Sequence, residues 1–268
     1  MTKNNLTYCG ALVRRHDPDR FLASLQMKPA ARPALWALYA FNHEIARTRE
    51  VVTETTIGLM RLQWWRDALA GIYAGGTVFE NEILPALAQT IKAYDLPQEL
   101  FNDLLSAREF DLENTQPSSL DRLCHYAGLT NAPLMRLALQ VNGEEEADDV
   151  LDAAAQAYGL VGLLRAVPFH AAQQRCYMPA DLMAEHGIRE QDLYGGRPGE
   201  SFTAVTGAIG RKAATLLQKE PQSRSMRTHT RLCRLYLGQL RACGFDVFAA
   251  RMSLPPPFFH LRFALWPL

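Results

Sequence analysis

Asp148, Asp149 and Asp152 form an Asp-Asp-x-x-Asp run inside "GEEEADDVLDAAAQAYG". Carboxylates in such a run supply the hard oxygen ligands with which magnesium grips a diphosphate. The same residues follow the helix breaker Gly143 and open a predicted helix, where acidic side chains cap free N–H groups and complement the helix dipole. The rest of the chain decides between a metal site and a helix start.

The 268 residues are 48% hydrophobic, and 28 Lys and Arg balance 28 Asp and Glu. A large core can be buried, and no net field draws the chain to nucleic acid. Cys9, Cys124, Cys176, Cys233 and Cys243 are odd in number, widely spaced and free of a CxxC pair. That pattern indicates reduced packing thiols and a reducing compartment rather than a disulfide frame or a zinc site. The opening "MTKNNLTYCG" has no apolar signal core and no Arg-rich amphipathic leader, while "AAAQAYGLVGLL" is too short to span a bilayer. The expectation is a soluble or peripheral protein.

Period-3.6 patterns run from end to end. Ala34, Leu38, Phe41, Ile45, Thr48 and Val52 form one stripe, with Pro33 in the first turn; Leu59, Leu62, Trp65, Leu69 and Ile72 form another, stopped by Gly75 and Gly76. Further helices are predicted at Glu80–Tyr94, Gln98–Phe110, Leu120–Val141, Asp149–Val167, Thr203–Lys219 and Thr230–Gly244. "RRHDPDR" reads as an interhelix turn with Asp17 as cap before Pro18. No alternating β-branched run is present and the breaks are short, so the fold class is all-α, with one domain over residues 1–268. Its apolar tail, residues 255–268, either packs on the body or offers Phe258, Phe259, Phe263 and Trp266 with Arg262 to a membrane interface or a partner.

Two segments resemble the squalene/phytoene synthase family, whose enzymes join prenyl diphosphates head to head in an all-helical isoprenoid synthase fold. "ALYAFNHEIARTRE" is similar to the family's A-L-Y-A-F-C-R-x-x-D-D-x-x-D block, and "YGLVGLLRAVPFHAAQQRCYMP" to its G-x-x-x-N-I-L-R-D-V-x-E-D…G-R-x-Y-L-P block. Ala37 to Phe41 (including Tyr39), Leu164, Arg165, Arg175, Tyr177 and Pro179 keep the pattern. The carboxylates do not: Ala46, Arg47 and Glu50 stand at the aspartates of the first block, and Ala166 and His170 at those of the second. In the enzymes each pair lies at i and i+4 on one helix face, and two such helices bridge magnesium to diphosphate. An Ala/Glu pair facing an Ala/His pair is a poor donor set for a hard cation. Asp152 cannot substitute, because 14 residues of helix, about 21 Å, separate it from Ala166.

"IGLMRLQWW" and "LLRAVPFH" are further similar to a branch of the family that assists assembly of respiratory complex I (NADH:ubiquinone oxidoreductase). That resemblance implies a noncatalytic, cofactor-free protein whose partner is a complex I subunit or assembly intermediate. It would be cytoplasmic or peripheral on the inner face of a bacterial inner membrane, or on the matrix side if taken from a processed mitochondrial protein. The alternatives are an active, magnesium-dependent prenyltransferase acting on farnesyl or geranylgeranyl diphosphate, and a carrier that holds a prenyl lipid.

Candidate residues carry a plain reading beside a functional one. Asn42, Glu44, Arg47 and Glu50 form either a self-satisfied cluster, with Arg47 pairing Glu50 at i,i+3, or a polar pocket with Arg47 and Arg165 as donors. Arg61 and Gln63 are solvated, or form a recognition surface beside Trp64 and Trp65, of which one is core. His170 follows Pro168 at a helix end, where a charged imidazole suits the dipole, or it lines a residual cavity. Gly159 and Gly162 permit close helix approach or leave room for a ligand.

Overall fold

The structure, a computed structural model, describes residues 6–76, 81–113, 115–196 and 198–265. Among these every regular element is helical. The chain divides into two compact units: Met1–Glu113 with Pro133–Glu146 and Ser223–Ser225, and Asn114–Ala132 with Ala147–Gln222 and Met226–Leu268.

The first unit contains α1 (Tyr8–His16), α2 (Pro18–Ser24), α3 (Arg32–Ala46), α4 (Thr48–Val51), α5 (Thr55–Tyr73), α6 (Leu84–Tyr94), α7 (Gln98–Glu113) and the second half of α8 (Leu120–Asn142). α3 is its axis. Ala34, Leu38, Phe41, Ile45 and Thr48 are buried as their spacing predicts, and Pro33 sits in the first turn, where its missing N–H costs nothing. Phe41 meets Trp65 and Phe101 edge-on at 5.3 and 5.5 Å. Asp17 accepts the Arg20 N–H at 3.1 Å and caps α2 ahead of Pro18. α5 lies tightly on α7, because a Cβ at Gly58 would come within 2.6 Å of the Leu112 side chain. One position in its predicted stripe is corrected: Leu59 is 42% exposed, since the face packed on neighbours runs through Gly58, Leu62, Trp65 and Leu69.

The second unit is built on α9 (Asp148–Ala172), packed against α12 (Phe202–Leu216), with α10 (Ala180–Glu185), α11 (Glu190–Tyr194), α13 (Arg224–Ala242) and α14 (Phe259–Leu265) around them. Leu160, Leu164 and Val167 are buried, as are Val205, Ile209 and Ala213 of α12. Gly159 lets α8 approach: a Cβ there would lie 2.7 Å from the Ala127 Cβ. α9 does not stop before Pro168, as the sequence suggests, but runs through it to Ala172. At 25 residues it is long and apolar enough to match a membrane span, yet 56% of its most apolar window is buried, so those residues also serve the core. The tail packs on the body through Phe259 and Phe263, which are buried. Glu80 and Trp266 lie outside the described residues.

Candidate functional site

In the first unit the residues at the altered aspartate block fall on two elements. α3 ends at Ala46, Arg47 is its C-cap, and Glu50 is exposed on the separate turn α4. Arg47 does not pair with Glu50. It donates to Glu44 Oε1 at 3.1 Å, and Arg61 of α5 donates to Glu44 Oε2 at 2.6 Å. Glu44 is the better acceptor because α3 keeps it a turn from Arg47 and within reach of α5, and its side chain is 15% exposed. Asn42, buried beside it in sequence, accepts from Arg108 Nη2 at 3.5 Å, and Arg108 also pairs with Asp111 at 3.2 Å. His43 stacks on His16 at 4.7 Å; burial first, and the neighbouring His16 second, hold its pKa below the usual imidazole range. Tyr39 is buried, with Arg20 5.9 Å from its ring centroid, and burial pushes its phenol pKa up. Gln63 donates to Asp67 at 2.8 Å on the exposed face of α5. Trp65 is core, while Trp64 is half-buried and edge-on to it at 5.1 Å.

In the second unit Ala166 and His170 remain at i and i+4 on continuous α9. His170 rests between Phe169 and Tyr177, at 5.8 and 4.7 Å, and Tyr177 stacks in turn on Tyr126 at 5.8 Å. Burial first, with Arg175 second, lowers its pKa to about 4. The ring is therefore neutral at pH 7, against the expectation of a charged imidazole at the helix end. Its Nδ1 is buried without a hydrogen-bond partner. The Arg165 guanidinium covers the Tyr236 ring at 3.5 Å. A Cβ at Gly162 would meet nothing within 4 Å, so this glycine borders open space, whereas Gly159 is filled by its neighbours.

Asp148 and Asp149 form the first turn of α9 and complement its dipole. The N-cap is Ala147, which makes no side-chain capping bond, while the Asp149 carboxyl is bonded to first-turn backbone N–H groups, its own and that of Val150, as expected for acidic residues at a helix start. Asp149 is held by Lys219 at 2.7 Å, and that bond lowers its carboxyl pKa. The run is thus a helix start with a local ion pair.

The donor set does not fit magnesium. Ala46 and Ala166 offer only methyl groups, Arg47 places a cation in the motif, and neutral His170 is a poor ligand for a hard cation. Among the described residues no three His, Cys, Asp or Glu side chains are grouped to hold a metal ion.

The Squalene/phytoene synthase family profile matches residues 13–257. The chain belongs to the squalene/phytoene synthase family. The chain is also similar to human NADH dehydrogenase (ubiquinone) complex I, assembly factor 6, 30% identical over 188 residues that cover 69% of this chain and 56% of the human protein. The match to that relative thus spans little more than half of its length. Maize phytoene synthase 3, chloroplastic, is 26% identical over 270 residues, covering 92% of this chain and 62% of the maize protein. Among solved structures, a dehydrosqualene synthase superposes with a TM-score of 0.76 at 15% identity over 96% of this chain and 92% of its own. Squalene synthase from Alicyclobacillus acidocaldarius superposes at 0.68 and 21% identity, over 92% and 94%. These structures establish the isoprenoid synthase fold.

Several contacts were not read from the sequence. The Arg108–Asp111 pair had a legible i,i+3 spacing. The His16–His43 and Tyr126–Tyr177 stacks had none, since the first joins two helices and the second joins α8 to the segment between α9 and α10.

Proposed function

We propose that the protein is a noncatalytic member of the squalene/phytoene synthase family that assists assembly of respiratory complex I at the membrane housing it. The carrying observation is that the first block has Ala46 and Arg47 where the family's enzymes carry aspartates, with Arg47 and Arg61 both occupied by Glu44. Ala46 leaves Glu50 without its i−4 carboxylate, and Glu54, four residues on, is the extended N-cap of α5 rather than a residue of the same helix. The human relative named as a complex I assembly factor supports the same reading over 69% of this chain.

On this reading the partner is a complex I subunit or assembly intermediate, and no metal or organic cofactor is needed. Deleting the gene should lower the amount of assembled complex I on native gels and leave squalene and carotenoid content unchanged. Unchanged complex I in the deletion strain would overturn it.

A second reading, an active prenyltransferase, draws support from the likeness to maize phytoene synthase 3 and from the retained Arg165, Arg175 and Tyr177. It requires magnesium to be held by an unusual ligand arrangement in place of the altered motif residues.

A further inference from the structure

The outer surface of residues 250–265 combines exposed apolar side chains with cations. Leu254, Phe258 and Leu261 are 65%, 78% and 56% exposed, and Arg251, His260 and Arg262 are exposed beside them in the sequence. Residues 250–265 contain no Asp or Glu, so the exposed charge of the segment itself is carried by Arg251 and Arg262. A single exposed leucine needs no explanation. Three large apolar side chains within one short basic segment do.

The segment is firmly held within its own unit. Gln239 Nε2 donates to the carbonyls of Arg251 and Leu254 at 2.8 and 2.9 Å. Phe259 and Phe263, one turn apart on α14, are buried; Phe259 packs on Tyr236 at 5.4 Å, and Arg231 donates to the Phe263 carbonyl at 2.9 Å. With Phe259 and Phe263 buried, Leu254, Phe258 and Leu261 are left turned to solvent within eight residues of one another. Phe258 also has φ +56°, a left-handed conformation that is costly for a bulky residue. Its ring gains no compensating burial inside the chain.

We propose that this face docks on an anionic lipid surface. Aromatic and aliphatic side chains enter the headgroup–acyl boundary while arginines pair with anionic headgroups, and the two signals together give stable peripheral binding. The single sign of charge favours lipid over a second copy of the chain, because a two-fold contact through this face would bring arginines of both copies together. Another exposed apolar set in the first unit, Val51, Ile57, Leu59, Met60 and Phe110, has both signs of charge nearby in sequence, Glu50, Glu54 and Glu113 as well as Arg49 and Arg61, so it lacks the single sign of charge found in residues 250–265. The inference deepens the proposed function by naming the surface that reaches the membrane, and rests on that reading only for which membrane it is.

The test is flotation of the full chain with vesicles of phosphatidylcholine alone or of phosphatidylcholine with phosphatidylglycerol. The protein should float with the anionic vesicles only, and less so at high salt. Arg251→Gln and Arg262→Gln should each weaken partitioning about five-fold, the equivalent of about 1 kcal/mol per cation near an anionic surface. Phe258→Gly suits the left-handed turn and removes the ring, so it should fold at least as stably as the parent and float less. Equal flotation of parent and Phe258→Gly, no flotation with either vesicle, or a parent dimer that Phe258→Gly dissolves would each overturn the proposal. Vesicle binding is read without complex I, so its failure is distinguishable from failure of the assembly reading in the deletion strain.

Discussion

Arg61 of α5 donates to Glu44 of α3 at 2.6 Å, and the same carboxylate takes Arg47 at 3.1 Å through its other oxygen. A position on the altered motif is thereby tied into the helix packing of the first unit. Glu44→Gln removes the charge that both guanidiniums face, while Arg61 Nε is already buried without a partner. Because Arg47 and Arg61 are each more than a third exposed, the loss is set at about 1 kcal/mol, measured as a shift in urea midpoint. The double variant Glu44→Gln with Arg61→Met should recover part of it. An unchanged midpoint in the single variant would mean the cluster contributes nothing to stability.

Two glycines three residues apart on α9 should respond with opposite signs. At Gly159 a Cβ would lie 2.7 Å from the Ala127 Cβ and 3.0 Å from its Cα. The backbone of α8 cannot turn aside as a flexible side chain would, so Gly159→Ala should cost about 1–3 kcal/mol. At Gly162 nothing lies within 4 Å. Gly162→Ala should stabilise by up to about 1 kcal/mol through helix propensity. Thermal unfolding of the pair checks both, and equal shifts would contradict the packing described.

His170 makes stability dependent on pH. Its pKa falls from 6.5 to about 4 on folding, so between those values the unfolded chain binds the extra proton and stability rises with pH. The contribution is fully present above pH 6.5 and is lost as pH falls toward 4. His170→Phe keeps an aromatic ring against Tyr177 and cannot titrate. Its urea midpoint should change less than the parent's between pH 7 and pH 4.5, and identical profiles would place the titration elsewhere.

Much of the fold was legible because α3 carries an apolar stripe with a proline start and α5 one that, apart from Leu59, is at least partly buried and ends at a glycine stop. Pro168 misled because the residue before proline is biased away from helix, yet α9 continues through it under the packing of α12. The site was less legible. Arg47 had carboxylates at i−3 and i+3, and local spacing alone could not rank Glu44 above Glu50. Arg61, 17 residues away, helps decide it through tertiary packing. The charge of His170 was misread because proximity to the helix C-terminus was visible in sequence, whereas the burial supplied by Tyr177 and its neighbours was not.

Diphosphate release from farnesyl and geranylgeranyl diphosphate, with and without magnesium, tests the central claim most directly. Purified protein of confirmed helical content is compared with an active squalene synthase. The account predicts no release above background at any magnesium concentration. Magnesium-dependent release that survives repurification would contradict it and show that ligands other than the altered motif residues hold the metal.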